Sequence, residues 1–169
     1  MNVVTQIFTI IARVLTGLSF LVIIGAVLTQ LAGRSGIITS MVWTEELTRF
    51  ALLYLAAFGV GLSYRSGNLV NVDIVSEALP AKLAWALRLI CAIITCAFGL
   101  MLIKATWLYV SIGARQTAPS LNIRMDYIHA AVLVALLSLS LFAALRIIGM
   151  LARTTDGTPE RPAESLGEE

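Results

Sequence analysis

Charge is scarce in this chain, and histidine is scarcer. Asp, Glu, Lys and Arg make up 13% of 169 residues, and there is one histidine. Soluble domains devote about a quarter of their residues to charge. One histidine excludes a bis-histidine haem, which needs two axial imidazoles. It also excludes a His-rich metal site. The two cysteines, Cys91 and Cys96, do not form a CxxC. Their spacing puts them on different sides of a helix, where they read as small packing residues. There is no P-loop and no Gly-rich nucleotide motif. No G-x-S-x-G accompanies His129. The net charge of +2 comes from singly spaced arginines, so no basic patch marks a nucleic-acid partner. No A-x-A cleavage site follows the first apolar run, where the chain reads Gln30-Leu31-Ala32-Gly33-Arg34. That run is longer than the core of a signal peptide, so it reads as a retained signal anchor. Catalytic, cofactor-binding and metal-ligating residues are all expected to be absent, and the chain is not read as an enzyme.

What the chain has is apolar length. Hydrophobic residues make up 59% of it, and the mean hydropathy is +0.90. Val14 to Gly33 is 20 residues without formal charge, and Tyr127 to Leu145 is 19 with only His129 ionisable. Phe50 to Tyr64 and Leu89 to Ile103 are 15 each. A bilayer core about 30 Å thick needs ~20 apolar helical residues. The outer two runs meet that alone; the middle two need their charged flanks. A soluble protein of 18.2 kDa has no interior that could hide all of this. The predicted fold class is all-α integral membrane, with four transmembrane helices. Short interfacial amphipathic segments are expected before helix 2 and before helix 3.

Helix 1 is expected from Val4 to Ala32, with Gly17, Ser19 and Gly25 as small positions for close helix approach. Helix 2 should run from Val42 to Tyr64, which carries Glu45, Glu46 and Arg49 into or near the headgroup layer. Thr44 followed by two acids suits a helix start. Glu45 and Arg49 are four apart, on one face, so Glu45 is the expected partner of Arg49. Trp43 is the interfacial anchor. Asp73 is placed to cap a short amphipathic turn, Ile74 to Ala78. Pro80 fits the first turn of helix 3, which runs to Ile112. Asp126 is expected to cap helix 4, which ends near Leu151. Residues 1–152 thus form the transmembrane domain. Residues 153–169 read as a disordered polar cytoplasmic tail.

Four spans put both termini on one side. Arg13, Arg65, Lys82, Arg88, Arg146, Arg153 and Arg161 fall on that side. Arg34, Arg49, Lys104, Arg115 and Arg124 fall on the other. The positive-inside rule then places both termini in the cytoplasm.

Transport chemistry usually leaves polar groups at membrane depth. Here the helix centres hold only hydroxyls: Thr16, Ser19 and Thr29 in helix 1, Thr95 in helix 3, Ser138 and Ser140 in helix 4. Such hydroxyls normally bond the preceding backbone turn or a neighbouring helix. His129 lies one turn into helix 4 and reads as an interfacial or packing residue. There are no paired Gly or Pro breaks of the kind that mark a secondary-transport site. The chain therefore reads as an accessory subunit of a larger partner. The competing readings are a self-contained four-helix channel or small exporter acting as a homo-oligomer, and a membrane enzyme subunit. The first would need a polar stripe at depth; the second would need a cofactor ligand set.

At Trp43-Thr44-Glu45-Glu46-Leu47-Thr48-Arg49 the chain resembles the small membrane subunit of TRAP (tripartite ATP-independent periplasmic) transporters, the Q subunit. That family opens its second helix with a W-x-E-E-x-x-R-like motif. It follows with a Gly-containing loop, a V-x-V-D element and Leu-Pro. Here Gly67, Val70-Asn71-Val72-Asp73 and Leu79-Pro80 occur in that order. Ser120-Leu121-Asn122-Ile123 is similar to the family's region before helix 4. The chain departs where Leu69 replaces a frequent histidine and Arg124 replaces a proline.

The resemblance implies a large membrane subunit (the M subunit) and a periplasmic substrate-binding protein as partners, besides membrane lipids. It implies no cofactor in this subunit, and sodium bound in the large partner. It implies sodium-coupled import of an organic acid, such as a C4-dicarboxylate or sialic acid, across the bacterial inner membrane. This chain would enlarge the static scaffold around an elevator-type subunit and help dock the binding protein. Trp43, Glu45, Glu46, Arg49, Asp73 and Pro80 are the candidate interface and structural residues.

Overall fold

The computed structural model describes residues 3–36, 38, 39, 41–67, 69, 79–153, 155, 157 and 158. Among these the chain forms α-helices and no β-strand. They are α1 (Val3–Arg34), α2 (Trp43–Arg65), α3 (Ala81–Gly113) and α4 (Met125–Leu151). All four are long and apolar enough to cross a membrane. Their apolar runs are rich in Val and Ile, which favour strands in water. In hydrocarbon an open strand edge would leave its amides unbonded, so these runs become helices. At about 1.5 Å per residue, the 23 residues of α2 rise ~34 Å and the 33 of α3 ~50 Å.

The helix ends differ from the sequence expectation by one or two residues, within the normal fraying of helix termini. The helix start expected at Thr44 and its two acids is met, with Glu45 and Glu46 in the first turn of α2; the capping expectation for Asp126 is corrected. Thr44 lies inside the first turn of α2, is buried, and donates its hydroxyl to Met41 O at 2.7 Å. Asp126 is the second residue of α4 rather than its cap; Arg124 holds the cap position with extended backbone and no side-chain capping bond, its guanidinium donating instead to Asp126 Oδ2 at 2.6 Å. Asp126 accepts there from Tyr127 N at 3.0 Å. An acid in the first turn is still favoured by the helix dipole. Pro80 stands immediately before α3, and its carbonyl accepts from Leu83 N and Ala84 N at 2.8 and 3.0 Å. Asp73, and the amphipathic turn expected at 74–78, lie outside the described residues.

The helices stand in an open row, not a closed bundle. α1 packs on α2, α2 on α4, and α4 on α3. α1 and α2 are antiparallel: Gln30 meets Thr48 near one end, and Arg65 meets Thr9 at the other. α2 and α4 are parallel, joined by Tyr54 to Tyr127 and by Tyr64 to Arg146. The outer helices are the barest. In the apolar windows of α1 and α3 only 11% of residues are buried, against 22% in α2 and α4.

Small residues make the seams. α3 turns Ala84, Ala92, Gly99, Thr106 and Gly113 inward at near-heptad spacing, the repeat that keeps one stripe on a partner helix. Gly99 sits against the Ser140 side chain, and Gly61 of α2 against Ser138 and Phe142. A Cβ at either glycine would overlap those atoms. This is how transmembrane helices gain contact without a hydrophobic driving force. Ala12, Tyr64, Phe142 and Ala143 close the centre of the row.

The start of the expected tail folds back onto α4. Thr155 N donates to Gly149 O at 3.3 Å, and Arg146 donates to Gly157 O. Gly157 is buried against Met150, so the packed unit continues past residue 152. Residues 159–169 lie outside the described residues.

Candidate functional site

Polar chemistry gathers at the end of the row where α1 passes to α2 and α3 passes to α4. The first two turns of α2 supply most of it. Trp43 is exposed at the first helical position, as an interfacial anchor must be. Glu45 faces Arg34 of α1 at 3.8 Å, with both side chains largely exposed. The expected Glu45–Arg49 pair therefore does not form. Arg49 is exposed and has no ion-pair partner among the described residues. Arg34 closes α1 just before the turn into α2, which brings its guanidinium beside Glu45.

Glu46 makes the most organised contact. Its Oε2 accepts from two consecutive backbone amides, Ser120 N at 3.0 Å and Leu121 N at 2.9 Å. Both amides lie in the 114–124 connection, 74 and 75 residues away in sequence. Hydrogen bonds to an ionised acceptor are shorter and stronger than neutral ones. The receiving loop is itself a compact turn. Ala118 N donates to Ile123 O at 2.8 Å, Asn122 N to Ala118 O at 2.9 Å, and Met125 N to Gln116 O at 2.9 Å. Asn122 adopts φ 54°, a left-handed conformation that asparagine tolerates better than most residues. Ala118 is buried beneath the turn. The Trp-Thr-Glu-Glu segment and the Ser-Leu-Asn-Ile segment are thus one structural unit joined through Glu46.

Three further contacts tie this end together. Gln30 Nε2 donates to Thr48 Oγ1 at 3.1 Å, linking α1 to α2. Tyr54 donates its hydroxyl to Tyr127 O at 2.5 Å, linking α2 to α4. His129 stacks on Tyr109, with ring centroids 4.0 Å apart, and its Nδ1 lies 3.3 Å from Tyr109 O. Gly113 leaves the room that the imidazole occupies. His129 is therefore a packing residue between α3 and α4. No cluster of three metal-ligating side chains exists among the described residues.

The candidate residues do not make one site. Trp43, Glu45, Glu46 and Arg49 share this end, Pro80 stands at the opposite end of α3, and Asp73 lies outside the described residues. Sequence reasoning missed the loop amides, because a backbone donor has no side-chain signature. A legible hint was the short Ser120-Leu121-Asn122 stretch just before helix 4.

Between the two ends the membrane depth is chemically quiet. Thr16 donates to Ala12 O at 2.8 Å, Ser19 to Leu15 O at 2.9 Å, Thr29 to Gly25 O at 2.8 Å and Thr95 to Cys91 O at 2.8 Å. Each hydroxyl is spent on the preceding turn of its own helix. Ser140 differs: its Oγ is buried against Gly99 with no hydrogen-bond partner.

A family model described as tripartite ATP-independent periplasmic transporters, DctQ component, matches residues 23–153, most of the chain. A relative in Haemophilus influenzae (strain 86-028NP), the sialic acid TRAP transporter permease protein SiaT, is 26% identical over 69 residues. That alignment covers 41% of this chain and 11% of the relative, so it spans about a tenth of the relative's length.

Proposed function

This chain belongs to the DctQ-component family of TRAP transporters, and from that we propose that it is the static scaffold subunit beside a larger, moving membrane subunit. The observation that carries the reading is the open row of helices with a quiet centre. A transport path needs polar groups at depth. Here four mid-membrane hydroxyls bond their own helices. The outer surfaces of α1 and α3 are apolar over most of their length, with Leu18, Leu21, Phe98 and Met101 all more than half exposed. Gly17 and Gly25 of α1 and Gly59 of α2 face open space and leave room for a neighbouring helix. Such a row offers breadth to a partner rather than a pore.

In this reading the large subunit carries the substrate and sodium sites. The complex imports an organic acid by sodium symport in the bacterial inner membrane. The Glu46 end lies on the periplasmic side, and both termini are cytoplasmic. The surplus of cations at the opposite end supports that orientation. The ordered 114–124 loop, exposed over most of its length, offers a firm surface to a periplasmic binding protein. Sialic acid is a reasonable first substrate to test, because the relative in Haemophilus influenzae is named for it.

The test is reconstitution. In liposomes with an inward sodium gradient, the chain alone should give no uptake of sialic acid or C4-dicarboxylates. Uptake should appear only when the large subunit and the binding protein are added. Sodium-driven uptake by the lone chain would overturn the scaffold reading and favour a homo-oligomeric carrier or channel.

A further inference from the structure

α2 stands in the middle of the row, yet one of its faces meets neither neighbour. It touches α1 through Thr48 and α4 through Tyr54 and Gly61. Arg49, Leu52, Leu53 and Ala56 follow at i, i+3, i+4 and i+7, so they share another face. All four are exposed. Gly59 continues that face, and a Cβ there would meet nothing. α2 is also the least hydropathic of the four spans. A helix with one side left to lipid gains from more apolar surface, not less.

The cation at the top of this face has no acid of its own. Segments 34–50 and 104–126 make this end of the row, and in the full sequence they hold three acids: Glu45, Glu46 and Asp126. Each is engaged elsewhere. Glu45 faces Arg34, Glu46 takes the Ser120 and Leu121 amides, and Asp126 takes Arg124. Arg49 and Arg65 bracket the charge-free run of α2, and their 16-residue separation is about 24 Å. Centred in a core of about 30 Å, Arg49 leaves the helix about 3 Å inside the hydrocarbon edge. A cation at that depth is costly unless it is paired or reaches water.

We propose, resting on the scaffold reading above, that this face of α2 docks a transmembrane helix of the large TRAP subunit, and that Arg49 pairs there with an Asp or Glu carboxylate of that helix. A guanidinium meets a carboxylate through two parallel hydrogen bonds, which fixes register as well as affinity. A carboxylate at this depth on the partner is as costly alone as Arg49 is, and pairing offsets both. Below the pair, Ala56 and Gly59 let a second backbone approach closely. Lipid chains gain nothing from those missing side chains, so a helix fits the face better than a headgroup over acyl chains.

The experiment uses the full tagged chain carrying Arg49→Lys, in its native membranes with the large subunit. The chain's own lysines are Lys82 and Lys104, so the new amine is distinguishable by mass spectrometry. A membrane-permeant carbodiimide joins an amine to a carboxylate in contact with it, with loss of water. Residue 49 should be found joined to an Asp or Glu in a transmembrane helix of the large subunit. Joining to Glu45 alone, joining to a lipid phosphate, or no joining overturns the proposal. Recovery of the large subunit with the tagged chain in mild detergent is the second readout. Arg49→Glu should lower it roughly tenfold. Gly59→Leu, which fills the open face, should lower it as well, and Glu45→Gln should not. Full recovery with both Arg49→Glu and Gly59→Leu, while the wild-type chain still brings down the large subunit, overturns this face and leaves the scaffold reading standing. Failure of the wild-type chain to bring it down overturns both.

Discussion

Glu46→Ala should release the 114–124 loop without melting the helices. The carboxylate accepts from Ser120 N and Leu121 N at 3.0 and 2.9 Å, and no other contact described here joins α2 to that loop. A hydrogen bond to a charged group contributes about 1.5–3 kcal/mol when buried. Glu46 is half-buried and Ser120 exposed, so solvent screening discounts this pair to about 1.5–2.5 kcal/mol in total. Local opening is linked exponentially to that energy, so amide exchange at positions 120 and 121 should accelerate about 10- to 70-fold. Hydrogen–deuterium exchange with mass spectrometry, on detergent-solubilised protein, reads this from the loop peptide. Glu46→Gln keeps an acceptor oxygen but loses the charge, so it should fall between wild type and Ala. Arg34→Gln is the control. Its contact with Glu45 is 3.8 Å long and exposed, so loop exchange should not change and stability should move by less than about 0.5 kcal/mol. If Glu46→Ala leaves the loop peptide exchanging at the wild-type rate, the two motifs are neighbours only and the clamp is wrong.

Three other outcomes follow from the packing. Gly61→Ala places a methyl into the Phe142 ring and the Ser138 hydroxyl, and should cost about 1–3 kcal/mol in thermal unfolding. Gly59→Ala, on the same helix but in open space, should be neutral or slightly stabilising. Ser140→Ala removes a buried hydroxyl that has no partner, and should be neutral or stabilising by about 1 kcal/mol. It should also rescue Gly99→Ala, whose new methyl otherwise meets Ser140 Oγ; this is checked by a double-mutant cycle. Removing residues 159–169 should leave the melting temperature unchanged. Removing 154–169 should lower it, because Arg146 loses the Gly157 carbonyl that it bonds.

The fold was legible because the bilayer constrains it so strongly. Charge-free runs of helical length admit little but helices, and all four appeared within a residue or two of their expected bounds. The order of the row was not legible, since an apolar helix shows no polar face to contrast with a buried one. Its trace lay in small residues instead: the spacing of Ala92, Gly99, Thr106 and Gly113 marks the seam of α3. At the candidate site, the acids at the start of α2 were readable from type and position. Their partners were not. Local spacing favours Glu45 with Arg49, yet Arg34 from the adjoining helix takes Glu45. Glu46 pairs with backbone amides that no side-chain pattern announces.

The central claim is that this chain is the scaffold partner of a large TRAP membrane subunit. The most direct measurement is affinity purification of the tagged chain from its native membranes in mild detergent, followed by mass spectrometric identification and stoichiometry. The account predicts that the large TRAP membrane subunit co-purifies in a one-to-one ratio. Recovery of the chain as a homo-oligomer, free of any large TRAP subunit, would contradict it.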